Sequence, residues 1–189
     1  MRHKYETRGI VLARTHTGEA TTIVTLITPE LGLLRARAQS LRASGAKLAH
    51  ALTTLAESSL VLVRGRDGWR VAGAMLEENW FVRLEEASAK QTAGRVSSLL
   101  LRLVAGEATD AELFPIIAAF LEALVALPEA EHDAVEVITA LRILRALGLD
   151  AGEIPGDATD FAPATLQAVA QSRTAYITRI NHGITASGL

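Results

Sequence analysis

The chain has 189 residues, 49% of them hydrophobic and 21% charged, with a formal net charge of −2. This is enough for one large domain or two small ones with a real core, and it excludes a disordered or histone-like protein. There is no cysteine, which excludes a disulfide scaffold, a thiol nucleophile, an iron–sulfur cluster and any cysteine-ligated zinc site. The charged stretch Met1 to Arg8 lacks the apolar run of a signal peptide. The greasiest stretch, Leu113 to Leu127, is too short to span a bilayer and is interrupted by Pro115 and Glu122. A soluble, cytoplasmic protein is expected.

The small net charge conceals an asymmetry. Residues 1–80 carry 11 Lys and Arg against 7 Asp and Glu, whereas residues 81–189 carry 8 against 14. A basic half joined to an acidic half directs the search for a polyanion site to the first.

In chain order, Arg8 to Arg14 is a short β-rich run followed by a polar turn through His16, Thr17 and Gly18. Ala20 to Thr28 is rich in β-branched residues and stops at Pro29-Glu30-Leu31-Gly32. Leu33 to Ala38 carries Arg35 and Arg37 two apart, so both project from one face of a strand. Gly45 to Ser58 is ambiguous: Leu48, Leu52 and Leu55 sit at helical spacing, and a helix between strands three and four would suit an OB-fold. Leu60 to Val63 is a further strand, Arg64 to Gly68 a glycine-bearing hairpin turn, and Trp69 to Ala74 the last strand. Five short strands in about 75 residues predict a closed barrel, which removes exposed edges.

From about Glu77 the period becomes helical. Leu99, Leu100, Leu103 and Val104 form one amphipathic stripe, and a second helix runs from Leu113 to Leu127, ended by Pro128. A third spans Asp133 to Leu147 and ends at Gly148. After the turn-rich loop from Gly148 to Pro163, a last helix runs from about Ala164 to Ile180. The expectation is an α+β multidomain chain: a five-stranded OB-fold barrel at residues 1–78, then an all-α helical bundle at 79–189.

Catalytic signatures are missing. No phosphate loop, dinucleotide fingerprint or nucleophile elbow occurs, and the five histidines have no ligand spacing. The pairs Glu77-Glu78 and Glu85-Glu86 read more simply as solvated first turns of helices than as acid/base dyads. No enzyme activity, metal or cofactor is expected. The concentrated feature is basic. Between Glu30 and Glu57 lie 26 residues with no acidic side chain and with Arg35, Arg37, Arg42 and Lys47, a pattern suited to tracking phosphates. Arg14, Arg64, Arg66 and Arg70 could extend it. Trp69 reads either as a stacking platform for bases or, more simply, as a core residue.

The order Gly9-Ile10-Val11-Leu12, Gly18-Glu19, Ile23-Val24-Thr25-Leu26 and Thr28-Pro29-Glu30-Leu31-Gly32-Leu33 resembles the N-terminal OB domain of the RecO recombination mediators. The stretch Arg35-Ala36-Arg37-Ala38-Gln39-Ser40-Leu41-Arg42 lies where that family has a basic segment, with Gln39-Ser40 replacing its usual Lys-Gly. Ala140 to Leu149 resembles the Leu-Gly end of the family's helical domain, and the tail from Tyr176 to Ser187 resembles its closing helix without the basic residues. Many members carry a four-cysteine zinc module where this chain has only the loop Asp150 to Pro163, so it resembles a reduced, metal-free version. The resemblance implies a nucleoid-associated protein that binds single- and double-stranded DNA without sequence specificity and anneals complementary strands. It also implies action with a RecR-like protein to load recombinase onto coated single strands, and engagement of the C-terminal tail of single-stranded DNA-binding protein. The main rival is a protein-interaction adaptor that kept the fold without DNA handling. A small-ligand-binding α+β protein comes next.

Overall fold

The computed structural model describes residues 3–17, 21–39, 48–104 and 106–188. Five strands come first: β1 His3–His16, β2 Thr21–Thr28, β3 Gly32–Gln39, β4 Ala56–Gly65 and β5 Gly68–Asn79. They close into a barrel in the order β1-β2-β3-β5-β4. The long β1 makes closure possible, because Ile10 pairs with Ile27 of β2 on one side and Glu57 of β4 on the other. The seam is a short parallel pairing of β3 with β5, Ala36 opposite Trp69 and Arg37 opposite Arg70.

Inward positions carry Val11, Val24, Leu26, Leu34, Leu60, Leu62, Trp69 and Val71, all buried. Ala36 and Ala38 are the small members of this core. Ala36 leaves room for the Trp69 indole beside it, the alternation of small and large side chains that fills a narrow barrel. Trp69 is 5% exposed, and Tyr5 meets its ring edge-on at 5.1 Å. It is therefore a core residue.

The segment between β3 and β4 departs from the helix that leucine spacing suggested. Its described part, residues 48–55, is a series of turns, and Glu57 and Ser58 already belong to β4. Leu52 drops into the barrel core. Leu55 adopts a left-handed φ of 62°, which ends any helical path. Its N–H donates to the Val11 carbonyl and its carbonyl accepts from Trp80 N–H. Glu77 and Glu78 close β5 and are not in a helical first turn.

The helices are α1 Trp80–Arg83, α2 Ala87–Leu103, α3 Leu113–Ala126, α4 His132–Ala146, α5 Pro163–Gln171 and α6 Arg173–Ala186. The chain divides into two compact units, Met1–Arg83 with Gly106–Phe114, and Leu84–Ala105 with Pro115–Leu189. The return of residues 106–114 to the barrel unit is not announced by any local signal. Two backbone hydrogen bonds hold it there, Leu33 N–H to the Ala108 carbonyl at 2.7 Å and Ala108 N–H to the Leu33 carbonyl at 2.9 Å. Gly32 makes the approach possible, with φ +64° and a position where a Cβ would lie 2.0 Å from the Ala108 oxygen.

In the second unit α4 is buried along most of its length and contacts α2, α5 and α6, as a helix apolar on nearly every side must. The expected last helix is two. Ser172, at φ −106° and ψ 17°, separates α5 from α6, and α6 continues to Ala186. Arginines organise the loop before α5. Arg142 is buried, stacks on Phe161 at 4.8 Å and donates to the Asp160 carbonyl. Burial pushes its guanidinium down to about 10 against the pull of Asp160 and Asp157, so it stays cationic at neutral pH. Arg179 donates to the Asp150 carboxylate and the Glu153 carbonyl. No helix among the described residues is long and apolar enough to cross a membrane.

Candidate nucleic-acid interface

Strand register decides which arginines share a face, because residues directly opposite each other point the same way. One outer row runs around the barrel through Lys4, Val63, Arg70, Arg37, Ile23 and Thr15. Lys4, Arg70 and Arg37 are exposed. Arg37 and Arg70 are direct neighbours across the β3–β5 seam, where strands lie about 4.8 Å apart. Arg35, two residues before Arg37, is exposed on the same face, while Leu34, Ala36 and Ala38, which alternate with them, point inward.

An open groove of about 1040 Å³ lies at this end of the barrel. Thr17 and Thr21 line it beside the β1–β2 connection, Ile23, Arg37 and Gln39 from the sheet, and residues 63–70 from the β4–β5 hairpin. Among the described residues its walls thus hold Arg37, Arg64, Arg66 and Arg70 against a single carboxylate, Asp67. The position between the β1–β2 and β4–β5 loops, across strands 2 and 3, is where OB-folds receive oligonucleotides. Arg66 and Asp67 form the exposed hairpin tip.

Arg64 and Arg14 behave differently from the outer row. Both lie on the inner row that runs Arg64, Trp69, Ala36, Val24, Arg14. Arg64 emerges at the barrel mouth with its guanidinium 4.9 Å from the centre of the Trp69 ring. It is also ion-paired to Glu107 at 3.3 Å. Arg14 is half-buried, and its Nε has no hydrogen-bond partner among the described residues. Of the sequence-derived candidates, the groove brings together Arg37, Arg64, Arg66 and Arg70. Arg35 lies on the same outer face as Arg37 but outside the groove lining, and Arg14 lies on the inner row. Arg42 and Lys47 fall outside the described residues. Sequence reasoning missed Lys4 and Gln39. Lys4 joins the row only through pairing with a strand some 60 positions away, and Gln39 is visible as the third member of the Arg35, Arg37 alternation.

A group of three or more residues able to hold a metal ion does not occur among the described residues. Both tryptophans, Trp69 and Trp80, are 5% exposed, so neither offers a ring face for stacking. What the groove presents is guanidinium charge and hydrogen-bond donors, a chemistry matched to phosphate oxygens.

The barrel order and the position of the groove define the first unit as an OB-fold. Residues 1–74, which span most of the barrel, match the family described as recombination protein O, N terminal. Two proteins from Dehalococcoides mccartyi named DNA repair protein RecO are similar. That of strain 195 is 29% identical over 129 residues, covering 68% of this chain and 51% of that protein. That of strain BAV1 is 29% identical over 122 residues, covering 65% and 48%. A protein of the same name from Synechococcus sp. is 34% identical over 103 residues, covering 54% and 35%. The chain spans about half the length of the Dehalococcoides proteins that it matches.

Proposed function

We propose that the chain is a DNA-binding recombination mediator that acts in DNA repair. The observation that carries this is the adjacency of Arg37 and Arg70 in a groove that also holds Arg64 and Arg66. Like charges side by side on a sheet repel each other, and a polyanion that bridges them turns the repulsion into binding. Phosphate contact without base stacking predicts binding that is indifferent to sequence and open to single strands and duplexes. Cations that screen phosphate repulsion while leaving base edges free would also promote annealing of complementary strands. A RecR-like protein and the C-terminal tail of single-stranded DNA-binding protein are the proposed protein partners, with recombinase loading as the outcome. The similarity to the RecO repair proteins supports this.

The test is annealing of two complementary fluorescent oligonucleotides by the purified chain. Acceleration over the protein-free rate, lost in Arg37→Glu/Arg70→Glu, supports the reading. No acceleration by a folded protein contradicts it. The adaptor reading draws on a different observation, the exposure of Met75 (64%), Phe81 (50%) and Val82 (67%) where the barrel unit ends. Apolar side chains in such positions suit a protein surface better than DNA.

A further inference from the structure

Arg64 lines the groove, yet its guanidinium is already engaged. Its Nη1 donates to Glu107 Oε2 at 3.3 Å, and the two side chains remain 53% and 40% exposed. Glu107 is not on a loose tip. The next residue, Ala108, is fastened to Leu33 by a hydrogen bond in each direction, and Gly32 lacks the Cβ that would drive Ala108 away. Further along, Leu113 and Phe114 are buried, and the Arg8 guanidinium lies 5.4 Å from the Phe114 ring centre. The fold thus anchors a carboxylate 43 residues away in sequence against one of the groove arginines. Arg35, Arg37, Arg66 and Arg70 have no ion pair among the described residues.

We propose that Glu107 is a resident competitor for phosphate at Arg64 and so sets the affinity of the groove. This rests on the reading of the groove as a DNA site. A carboxylate and a phosphate oxygen compete for the same donors of one guanidinium, since both accept its planar N–H groups. In the free protein Glu107 holds Arg64 over the Trp69 ring. A strand must displace that carboxylate, at the modest cost of an exposed ion pair, before Arg64 can count as a phosphate contact. Glu107 is a positioning residue, acting through Arg64. The device keeps binding weak enough for a strand to be handed on, while Arg37, Arg66 and Arg70 still capture it.

The experiment measures the affinity of a fluorescent single-stranded oligonucleotide across a range of salt concentrations for four proteins: wild type, Glu107→Gln, Arg64→Ala and the double variant. Glu107→Gln keeps the side-chain shape and removes the charge, and it is exposed, so the fold should survive; a thermal melt checks this. The expected result is two- to five-fold tighter binding, roughly the worth of a surface ion pair. The log-affinity against log-salt slope should steepen by about 0.7, the signature of one further phosphate contact on a single strand. In the Arg64→Ala background Glu107→Gln should change neither quantity. Wild-type binding that Glu107→Gln leaves unchanged would overturn the inference alone. Tightening that persists without Arg64 would also overturn it, since Glu107 would then act only through the general field. Failure of the wild-type protein to bind would overturn the DNA reading and this inference with it.

Discussion

Arg37 and Arg70 stand directly opposite each other on β3 and β5, at the parallel seam that closes the barrel. Two like charges at such positions oppose strand pairing. Their presence at the shortest pairing in the barrel makes sense if a shared anion normally lies between them.

Reversing both charges should separate binding from folding. Arg37→Glu/Arg70→Glu is expected to lose more than about ten-fold in affinity for a single strand, because two contacts become two repulsions. The melting temperature should stay within a few degrees of the wild type. Retained affinity in the folded variant, measured by fluorescence anisotropy, would contradict this assignment.

The fate of Trp69 tests whether bases or phosphates are read. Stacking of a base on an aromatic side chain is worth about 1–3 kcal/mol, so loss of a stacking platform would weaken binding several-fold or more. Trp69 is buried in the barrel core. Trp69→Phe should therefore leave DNA affinity within about two-fold while lowering stability through lost packing with Ala36 and Tyr5. A large loss of affinity in a stably folded Trp69→Phe protein would show that the ring meets bases.

Gly32 is expected to be among the least replaceable residues of the barrel. At φ +64° any side chain is strained, and a Cβ would collide with the Ala108 oxygen. Gly32→Ala should cost more than about 2 kcal/mol in urea unfolding. A cost below about 0.5 kcal/mol, the size of an ordinary surface change, would mean that residues 106–108 are not held against β3 in solution.

The helical unit should lose stability in acid. The Arg173 guanidinium holds Asp133 below the usual carboxylate range, and Asp160 is held low by the Thr165 hydroxyl and the Ala162 N–H. An acid depressed in the folded state contributes fully above its unfolded value, about 4. It loses that contribution as the pH falls through the lower folded value. Urea midpoints should therefore fall from about pH 5 downward, and Asp160→Asn should flatten the fall. Identical pH profiles for the two proteins would remove Asp160 from the account.

Much of the barrel was legible because its strands announce themselves locally. The β-branched run of β2 and the strict alternation of β3 predict pleated, half-buried strands, and they place Arg35 and Arg37 on one open face. What could not be read depends on pairing at a distance. Arg70 meets Arg37, and Lys4 joins their row, only through barrel closure. Arg8 and Arg14 have an even separation that predicts a shared face. The bulge between Val11 and Ala13 reverses the alternation, and Arg14 turns to the inner side. Leu48, Leu52 and Leu55 mimic a helical stripe because a turn that plugs a barrel also needs apolar residues at intervals. The break at Ser172 has no glycine or proline to mark it. Glu107 sits in the acidic half of the sequence, and nothing near it points to Arg64.

Whether the groove binds DNA through phosphate charge is decided by a salt titration of single-strand binding. Three to five contacts, from Arg37, Arg66 and Arg70 with Arg35 and Arg64, predict a log-affinity against log-salt slope of about −2 to −4. Duplex should compete without regard to sequence. A folded protein that fails to bind at low salt, or binds with a slope near zero, would contradict the claim.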